Sequence, residues 1–164
     1  MILLSPQPLT AGNFAEFGEV IETRNRDSFL INNGSTERFH RLANIEVDTA
    51  GSAIISIFRA QALELPLAIN MLEKHPFGSQ AFIPLMGKAF LIVVAPPGRI
   101  PTPHDVRAFI SNGSQGINYF ANTWHHPIIA LEDNDEFLIV DRTGPGNNCD
   151  EFYFDTQQTI LLSP

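Results

Sequence analysis

Cysteine, basic residues and long apolar runs are all scarce in this sequence. One of its 164 residues is cysteine, Cys149, which excludes an internal disulfide framework and suits a reducing compartment. No apolar run reaches the roughly 20 residues that a membrane helix needs, and the N-terminus MILLSPQPLT lacks the basic segment of a secretory signal. Ten Lys and Arg against 18 Asp and Glu give a net charge of −8, which repels polyanions. We therefore expect a cytoplasmic protein whose partner is neither a membrane nor a nucleic acid.

Helix signals are sparse as well. The segment LTAGNFAEFG predicts one short N-terminal helix, in which Thr10 is the N-cap, Phe14 and Phe17 share a face, and Gly18 takes the C′ position. The segment LAINMLEKH contains good helix formers, but a proline stands on each side of it. We interpret this second segment as a strand.

The remaining chain alternates between strand-like runs and turn signals. The runs are apolar, β-branched and aromatic, and PPGRIPTPHD, NGSQG, EDND and GPGNN separate them. No long crossover helices intervene, which disfavours a parallel α/β fold. The pattern predicts an all-β dominated single domain over residues 1–164, a sandwich or small barrel, with PPGRIPTPHD as a surface loop that leaves His104 solvated. The predicted strands are SAIISIFRA, SQAFIPLMG, KAFLIVVA, VRAFISNG, GINYFANTW, PIIALE and DEFLIVDR.

The most informative stretch is EKHPFGSQAFIPLMG, which has the spacing Glu73-x-His75-x4-Gln80-x6-Gly87. This spacing fits the first motif of cupin barrels, H-x-H, three or four residues, E, six residues, G, although two of the ligand types differ. Residues two apart on a strand face the same side. Glu73 and His75 are therefore expected to point into the barrel, and the next strand brings Gln80 beside them.

A second motif follows about one hairpin later, in GINYFANTWHHP. Its segment from Asn122 to His125 matches the end of the second cupin motif, with Asn122 in place of the usual glycine. His125 is therefore expected to join the first cluster. His126 faces the other way unless the strand bulges.

Two interpretations of these side chains stay open. A lone histidine in a strand is often a hydrogen-bonded structural group, but two motifs with cupin spacing around histidines favour a site. Nickel, iron and manganese accept histidine together with carboxylate. If a divalent metal is bound, the ligand set is His75, His125, Glu73 and Gln80. Since glutamine is a poor ligand, Glu73 and Gln80 are alternatively direct substrate contacts.

Other polar residues are weaker candidates. Arg59 ends the apolar run IISIFR, where it is either paired or solvent-facing, or else clamps a substrate carboxylate. Asn33 lies in INNG, which is turn chemistry within a densely polar segment. Asp141 and Arg142 predict a surface ion pair. Nothing beside Cys149 marks it as a nucleophile, so we expect a buried structural residue.

Four longer blocks are FLINNGSTERFHRLA, LEKHPFGSQAFIPL, RAFISNGSQGINYFANTWHHP and FLIVDRTGPGNNCD, and together they resemble the ureidoglycolate lyase family over Leu9 to Asp150. The resemblance implies a cupin-type, jelly-roll-like double-stranded β-barrel that forms a homodimer. It implies conversion of (S)-ureidoglycolate to glyoxylate and urea in allantoin degradation. It also implies a divalent metal, nickel, and no organic cofactor.

The implied reaction is an elimination from a carbon that bears a hydroxyl, a carboxylate and a urea nitrogen. It needs a base for the hydroxyl proton, an acid for the departing nitrogen and a cation for the carboxylate. His75 or His125 is the base, or a ligand if a metal is bound. Glu73 is either the acid, which requires a raised pKa, or an orienting carboxylate. The remaining substrate contacts are assigned to Arg59 for the carboxylate, Gln80 and Asn33 for the ureido group, and His126.

Two other functions compete with the lyase. A metal-dependent cupin oxygenase or isomerase is weakened by the missing second histidine of H-x-H. A non-catalytic cupin that binds small acids is weakened because the sequence has no DNA-binding segment. The apolar ends MILL and TILLSP predict edge strands, which either pair between two copies or pack on their own barrel.

Overall fold

The computed structural model describes residues 1–155 and 157–164. These residues are dominated by β-structure, with one short helix, α1 (Ala11–Phe14), and 3-10 turns at Asn32–Gly34 and Pro103–Asp105. The strands are β1 (Ile2–Leu4), β2 (Gln7–Pro8), β3 (Gly18–Ile21), β4 (Phe29–Ile31), β5 (Thr36–Arg38), β6 (Ser52–Ala60), β7 (Leu67–Ala68), β8 (Met71–Lys74), β9 (Gln80–Pro84), β10 (Phe90–Ala95), β11 (Arg107–Ile110), β12 (Gly116–Tyr119), β13 (Trp124–His125), β14 (Ile129–Ala130), β15 (Asp135–Thr143), β16 (Asp150–Tyr153) and β17 (Ile160–Leu162). The all-β prediction is confirmed.

The strands form three sheets and one separate hairpin. The central sheet has the order β16-β8-β13-β10-β11-β2, with β14 also on β10, and the front sheet has the order β3-β12-β9-β15-β6. The back sheet is β1-β17-β7, and β4 pairs with β5 alone. Every strand pair of the front sheet is antiparallel.

Strand β10 explains how the layers stack, because both of its faces are buried. Phe90, Ile92 and Val94 join a core cluster with Phe82 and Phe137 of the front sheet. The alternate residues Leu91, Val93 and Ala95 join a second cluster that includes Ile160 and Leu162 of the back sheet. The central sheet is therefore the middle of three layers. The central and front sheets enclose a core between them. We call the face that each of these two sheets turns toward this core its inner face.

Helix α1 is shorter than its sequence suggests. Thr10 is the N-cap as predicted, and its hydroxyl and the Asn13 side chain form a reciprocal capping box. The helix ends at Phe14, and Gly18 opens β3 instead of capping the helix. Any Cβ at Gly18 would meet the backbone carbonyl of Asn118 on the neighbouring strand. Close strand packing, and not helix termination, is what requires glycine there.

The two ends of the chain pack on their own domain. β1 pairs with β17 in parallel, and Ile160 and Leu162 are buried. This is the second of the two alternatives for the apolar termini. The segment from 67 to 75 contains β7 and β8, as predicted, and His104 is exposed in its loop. None of the helices in the described part of the chain is long and apolar enough to cross a membrane.

Candidate active site

Three side chains from the two motifs converge at one end of the core between the central and front sheets. Glu73 on β8 is paired in register with His125 on β13, and His75 follows two residues after Glu73. One carboxylate oxygen of Glu73, Oε1, lies 3.6 Å from Nε2 of His125 and 3.8 Å from Nε2 of His75. We call this group the Glu73–His75–His125 cluster. The same-side prediction for Glu73 and His75, and the prediction that His125 joins them, are confirmed.

A backbone hydrogen bond holds the two motifs together. The Asn122 amide donates to the His75 carbonyl at 3.0 Å. Asn122 itself has a φ of 69°, in the left-handed region that asparagine tolerates better than most residues. This conformation explains why asparagine can stand where the cupin motif carries glycine.

Backbone carbonyls fix the tautomer of both imidazoles. His75 Nδ1 lies 2.7 Å from the Asn148 carbonyl, and His125 Nδ1 lies 2.9 Å from the Thr123 carbonyl. A carbonyl oxygen accepts hydrogen bonds and cannot donate, so each neutral ring carries its proton on Nδ1 and a lone pair on Nε2.

The Nε2 lone pairs of His75 and His125 point toward the Glu73 carboxylate, and none of these three groups can donate a hydrogen bond to another. Both Nε2 atoms are buried and have no hydrogen-bond partner among the described residues. The candidate ligand atoms of Glu73, His75 and His125 all lie within 4.8 Å of one another. Two imidazoles and a carboxylate are a donor set that divalent transition metals accept, and a metal-binding histidine commonly donates its other ring N–H to a backbone carbonyl, as both rings do here. The cluster therefore fits a divalent cation.

The surroundings set the charges of the cluster. Burial lowers the pKa of His125 and so favours its neutral form. The adjacent His125 ring, together with His75, holds the pKa of the Glu73 carboxyl below its ordinary value despite partial burial. Glu73 is therefore ionised near neutral pH. This favours an orienting or ligating role for Glu73 over the alternative role of acid.

Tyr119 forms one wall of the cluster, and sequence reasoning missed it. Its ring stacks on His125 with a centroid distance of 4.3 Å and an interplanar angle of 13°. Burial raises the pKa of the phenol, so Tyr119 stays neutral. Its place on β12, three residues before Asn122 in GINYFANTWHHP, was the available signal.

Gln80 and Asp141 lie on the inner face of the front sheet near this wall. Gln80 is paired in register with Tyr119, and its amide nitrogen donates to Asp141 Oδ2 at 3.1 Å. The predicted surface pair between Asp141 and Arg142 is wrong. Arg142 points to the opposite face of the strand, where its Nε donates to Asp48 at 2.8 Å.

Cys149 also borders the cluster. Its Sγ lies 3.6 Å from Glu73 Oε2, and the residue is half-buried, so the expected structural burial is wrong. Burial and the adjacent Glu73 raise the pKa of the thiol to about 11, so the thiol is protonated near neutral pH. Its loop supplies the Asn148 carbonyl that orients His75.

The other three predicted substrate contacts lie elsewhere in the single chain. Arg59 projects from the outer face of β6 and forms an ion pair with Glu136 at 2.9 Å. Asn33 is exposed at the tip of the β4–β5 hairpin with a φ of 56°. His126 is half-buried, and its Nδ1 lies 2.9 Å from the Pro127 carbonyl. Their roles in substrate binding stay predictions.

Comparison with known proteins connects this geometry to one family. The sequence model of a family described as ureidoglycolate lyase matches residues 1–161. A ureidoglycolate lyase of Stutzerimonas stutzeri strain A1501 is 59% identical over 165 residues, which cover 100% of this chain and 97% of the relative. A ureidoglycolate lyase of Pseudomonas syringae pv. tomato is 60% identical over 167 residues, which cover 100% of this chain and 97% of that relative. Another, of Pseudomonas putida strain W619, is 58% identical over 165 residues, which cover 100% of this chain and 99% of the relative.

Proposed function

The chain belongs to the ureidoglycolate lyase family and is a carbon–nitrogen lyase, and we propose that the Glu73–His75–His125 cluster is where it eliminates urea from (S)-ureidoglycolate. The observation that carries this proposal is the convergence of two Nε2 lone pairs and an ionised carboxylate at one end of the core. The conversion serves allantoin degradation in the cytoplasm, and the single free cysteine suits that reducing compartment.

The elimination requires one proton to leave oxygen and one to reach nitrogen. The hydroxyl O–H bond breaks, and its electron pair forms the carbonyl of glyoxylate. The C–N bond breaks, and its electron pair is protonated as urea departs. A neutral imidazole whose Nε2 lone pair faces the substrate hydroxyl can take the first proton and return it to nitrogen.

Side chains of the cluster and of Gln80 are available for these proton transfers and for binding the substrate. His125 or His75 acts as the base, with Nδ1 held by a backbone carbonyl. Glu73, ionised beside both rings, stabilises the imidazolium that forms. The Gln80 amide, already oriented by Asp141, suits the ureido group of the substrate.

A divalent cation fits the same three side chains, and nickel is the metal that we propose. Glu73 and the Nε2 atoms of His75 and His125 would hold it. Bound there, the cation would supply Lewis-acid stabilisation of negative charge on substrate oxygens. Gln80 and Asp141 would still face the substrate, and Cys149 would border the bound ion through its contact with Glu73.

Urea release from racemic ureidoglycolate, measured before and after chelation, tests the proposal. The quantity to follow is the enzyme-dependent excess, because this carbinolamide also breaks down unaided. Excess urea that survives chelation means side-chain acid–base catalysis. Excess urea that is lost on chelation and restored by nickel means a metal site. No excess under either condition contradicts the proposed activity.

Substitutions assign that activity to the cluster. We expect Glu73→Gln and His125→Ala each to lower turnover by about 10² to 10⁴, the usual contribution of a positioned acid–base group. His104→Ala is the matched control, because His104 is exposed in a distant loop. Circular dichroism checks that the variants fold. Near-normal turnover in both cluster variants would remove these residues from the site.

A further inference from the structure

The β4–β5 hairpin lacks the packing that a hairpin needs. β4 and β5 pair with each other and with no other strand in the described chain, while Phe29 and Leu30 are 51% and 66% exposed. An isolated two-stranded hairpin is marginally stable in water. A hairpin with apolar side chains on both faces therefore needs another surface to cover it.

Strand β6 presents such a surface. It is an edge of the front sheet, nine residues long and paired on one side with β15. Ile55 and Ile57 project from its outer face and are 72% and 59% exposed, and Ile54 and Phe58 on its inner face are also exposed. Long apolar edge strands invite pairing unless something covers them. Ile54 is paired with Asp141, so this edge borders the site.

Charge favours a second copy of this chain as the occupant. Residues 24–41, which include the hairpin, contain four of the ten Lys and Arg and two of the 18 Asp and Glu. This segment thus carries +2, and the rest of the chain carries −10. A basic arm and an acidic body in one sequence are complementary between two copies. In a two-fold dimer, each β4–β5 hairpin covers the β6 edge strand of the other copy.

The carboxylate of the proposed substrate also calls for a basic side chain, which the single chain does not provide at the cluster. The Lys and Arg residues outside residues 24–41 are all engaged by partners away from the cluster: Arg59, Lys74, Lys88, Arg99, Arg107 and Arg142. Arg38 on β5 is exposed, lies opposite Phe29 in the hairpin, and has no ion pair or hydrogen bond among the described residues. An unpaired guanidinium suits bidentate recognition of a carboxylate.

We propose that the β4–β5 hairpin of one copy packs on β6 of a second copy and supplies Arg38 to the substrate carboxylate in that copy's site. Phe29 and Leu30 cover the exposed isoleucines, and the turn at Asn32–Gly34 reaches the site mouth. Asn33 then meets the ureido group in trans, in the role that the sequence predicts for it. This inference rests on the proposed lyase activity.

Association is tested first, by sedimentation velocity. We expect a wild-type dimer that Leu30→Asp converts to a monomer. Leu3→Asp is the matched control, because Leu3 is 65% exposed on the back sheet, and this variant should remain dimeric. A monomeric wild type, or a Leu30→Asp variant that stays dimeric, would overturn the proposal.

Complementation between two impaired variants, compared by kcat/KM, tests the shared site. Arg38→Ala should lower kcat/KM by about 10- to 100-fold, mainly through KM, as expected for the loss of a charged hydrogen-bonded pair. Arg38→Lys should recover part of this, and Arg99→Ala, which removes an exposed arginine outside residues 24–41, should stay close to wild type. Arg38→Ala and Glu73→Gln chains are then co-expressed with different tags, and the mixed dimer is purified through both.

The mixed dimer contains one complete site only if the arginine acts across the interface. We expect about half of the wild-type activity per dimer, because one of its two sites has both Glu73 and Arg38 intact. A mixed dimer whose kcat/KM does not exceed that of the Arg38→Ala parent, or an Arg38→Ala variant with wild-type kcat/KM, would overturn the proposal. Wild-type protein without urea release would instead defeat the proposed lyase activity, so the two failures are distinguishable.

Discussion

Two backbone carbonyls, those of Thr123 and Asn148, determine what the imidazoles of the site can do. Each accepts from Nδ1 and so leaves Nε2 as a lone-pair donor toward Glu73. Burial lowers the pKa of His125, and the pKa of Glu73 also lies below its ordinary value. The same three residue types with protons on Nε2 would neither bind a cation nor accept a hydroxyl proton. Function at this scale depends on hydrogen bonds to main-chain atoms.

Asp135 is a residue whose charge costs stability. It opens β15, is fully buried, and has no well-formed hydrogen bond to either carboxylate oxygen within the described chain. Burial raises the pKa of its carboxyl, and the adjacent Glu136 amide and Lys88 charge offset only part of this shift. Because the pKa is higher in the folded state, folding favours the protonated form, and that stabilisation is lost as pH rises through the folded-state pKa.

We expect Asp135→Asn to raise the free energy of unfolding by about 1 kcal/mol near neutral pH, since it removes a buried unpaired charge. The gain should be smaller at about pH 4, near the ordinary pKa of an aspartate. Denaturant unfolding at both pH values measures the difference, with exposed Asp27→Asn as the control. An equal gain at both pH values would show that Asp135 does not titrate differently on folding.

At the scale of elements, strand register assembles the site. β13 is two residues long and takes its position from β10, where His125 pairs with Val94 and Trp124 pairs with Ala95. Its other edge meets β8 at Glu73. A slip of one residue in β8 would turn Glu73 away from the core and bring Lys74 in, because side chains alternate between faces. The long apolar strand β10 therefore positions a polar cluster that it does not itself contain.

Two glycines near the N-terminus provide a matched test of strand packing. A Cβ at Gly18 would meet the Asn118 carbonyl, whereas a Cβ at Gly12 in α1 would have nothing within 4 Å. We expect Gly18→Ala to destabilise the fold by about 1–3 kcal/mol through forced separation of β3 and β12. Gly12→Ala should be neutral or stabilising by up to about 1 kcal/mol, because alanine is the better helix former. Denaturation midpoints compare them, and equal effects would contradict the packing argument.

At the scale of the whole molecule, the candidate active site occupies one end of the core between the central and front sheets. Aromatic and aliphatic side chains fill most of that core. The cluster of Glu73, His75 and His125 replaces them at the end, with Tyr119 between the apolar and polar parts. The central sheet thus supplies the ligand atoms from β8, the residue after it and β13, and the front sheet supplies Tyr119 as the facing wall.

Metal binding at this site should stabilise the whole fold, because a cation bound to the native cluster has no equivalent site in the unfolded chain. At a free nickel concentration about 100 times the dissociation constant, linkage predicts about 2.7 kcal/mol of stabilisation. Scanning calorimetry with nickel measures the rise in Tm. His125→Ala should lose most of this rise, and exposed His104→Ala should keep it. An equal rise in all three proteins would place the metal elsewhere.

Local sequence signals predict the longer strands and the three residues of the Glu73–His75–His125 cluster. Alternation and turn residues are local signals, so β6, β9, β10, β11 and β12 fall within the predicted runs, and β15 extends one residue past its own. The two motif spacings selected Glu73, His75 and His125 because a period of two along a strand is also local. The long blocks carried the resemblance to the family that the comparisons confirm.

The groups that these residues contact depend on the tertiary fold. Gln80 donates to Asp141 and Arg142 donates to Asp48, and the two residues of each contact lie 61 and 94 positions apart in the chain. Tyr119 stacks on His125 because the front and central sheets face each other, and Cys149 borders Glu73 because β16 pairs with β8. Tautomers, pKa shifts and the exposed edge of β6 depend on such long-range neighbours. No local pattern in a sequence specifies them.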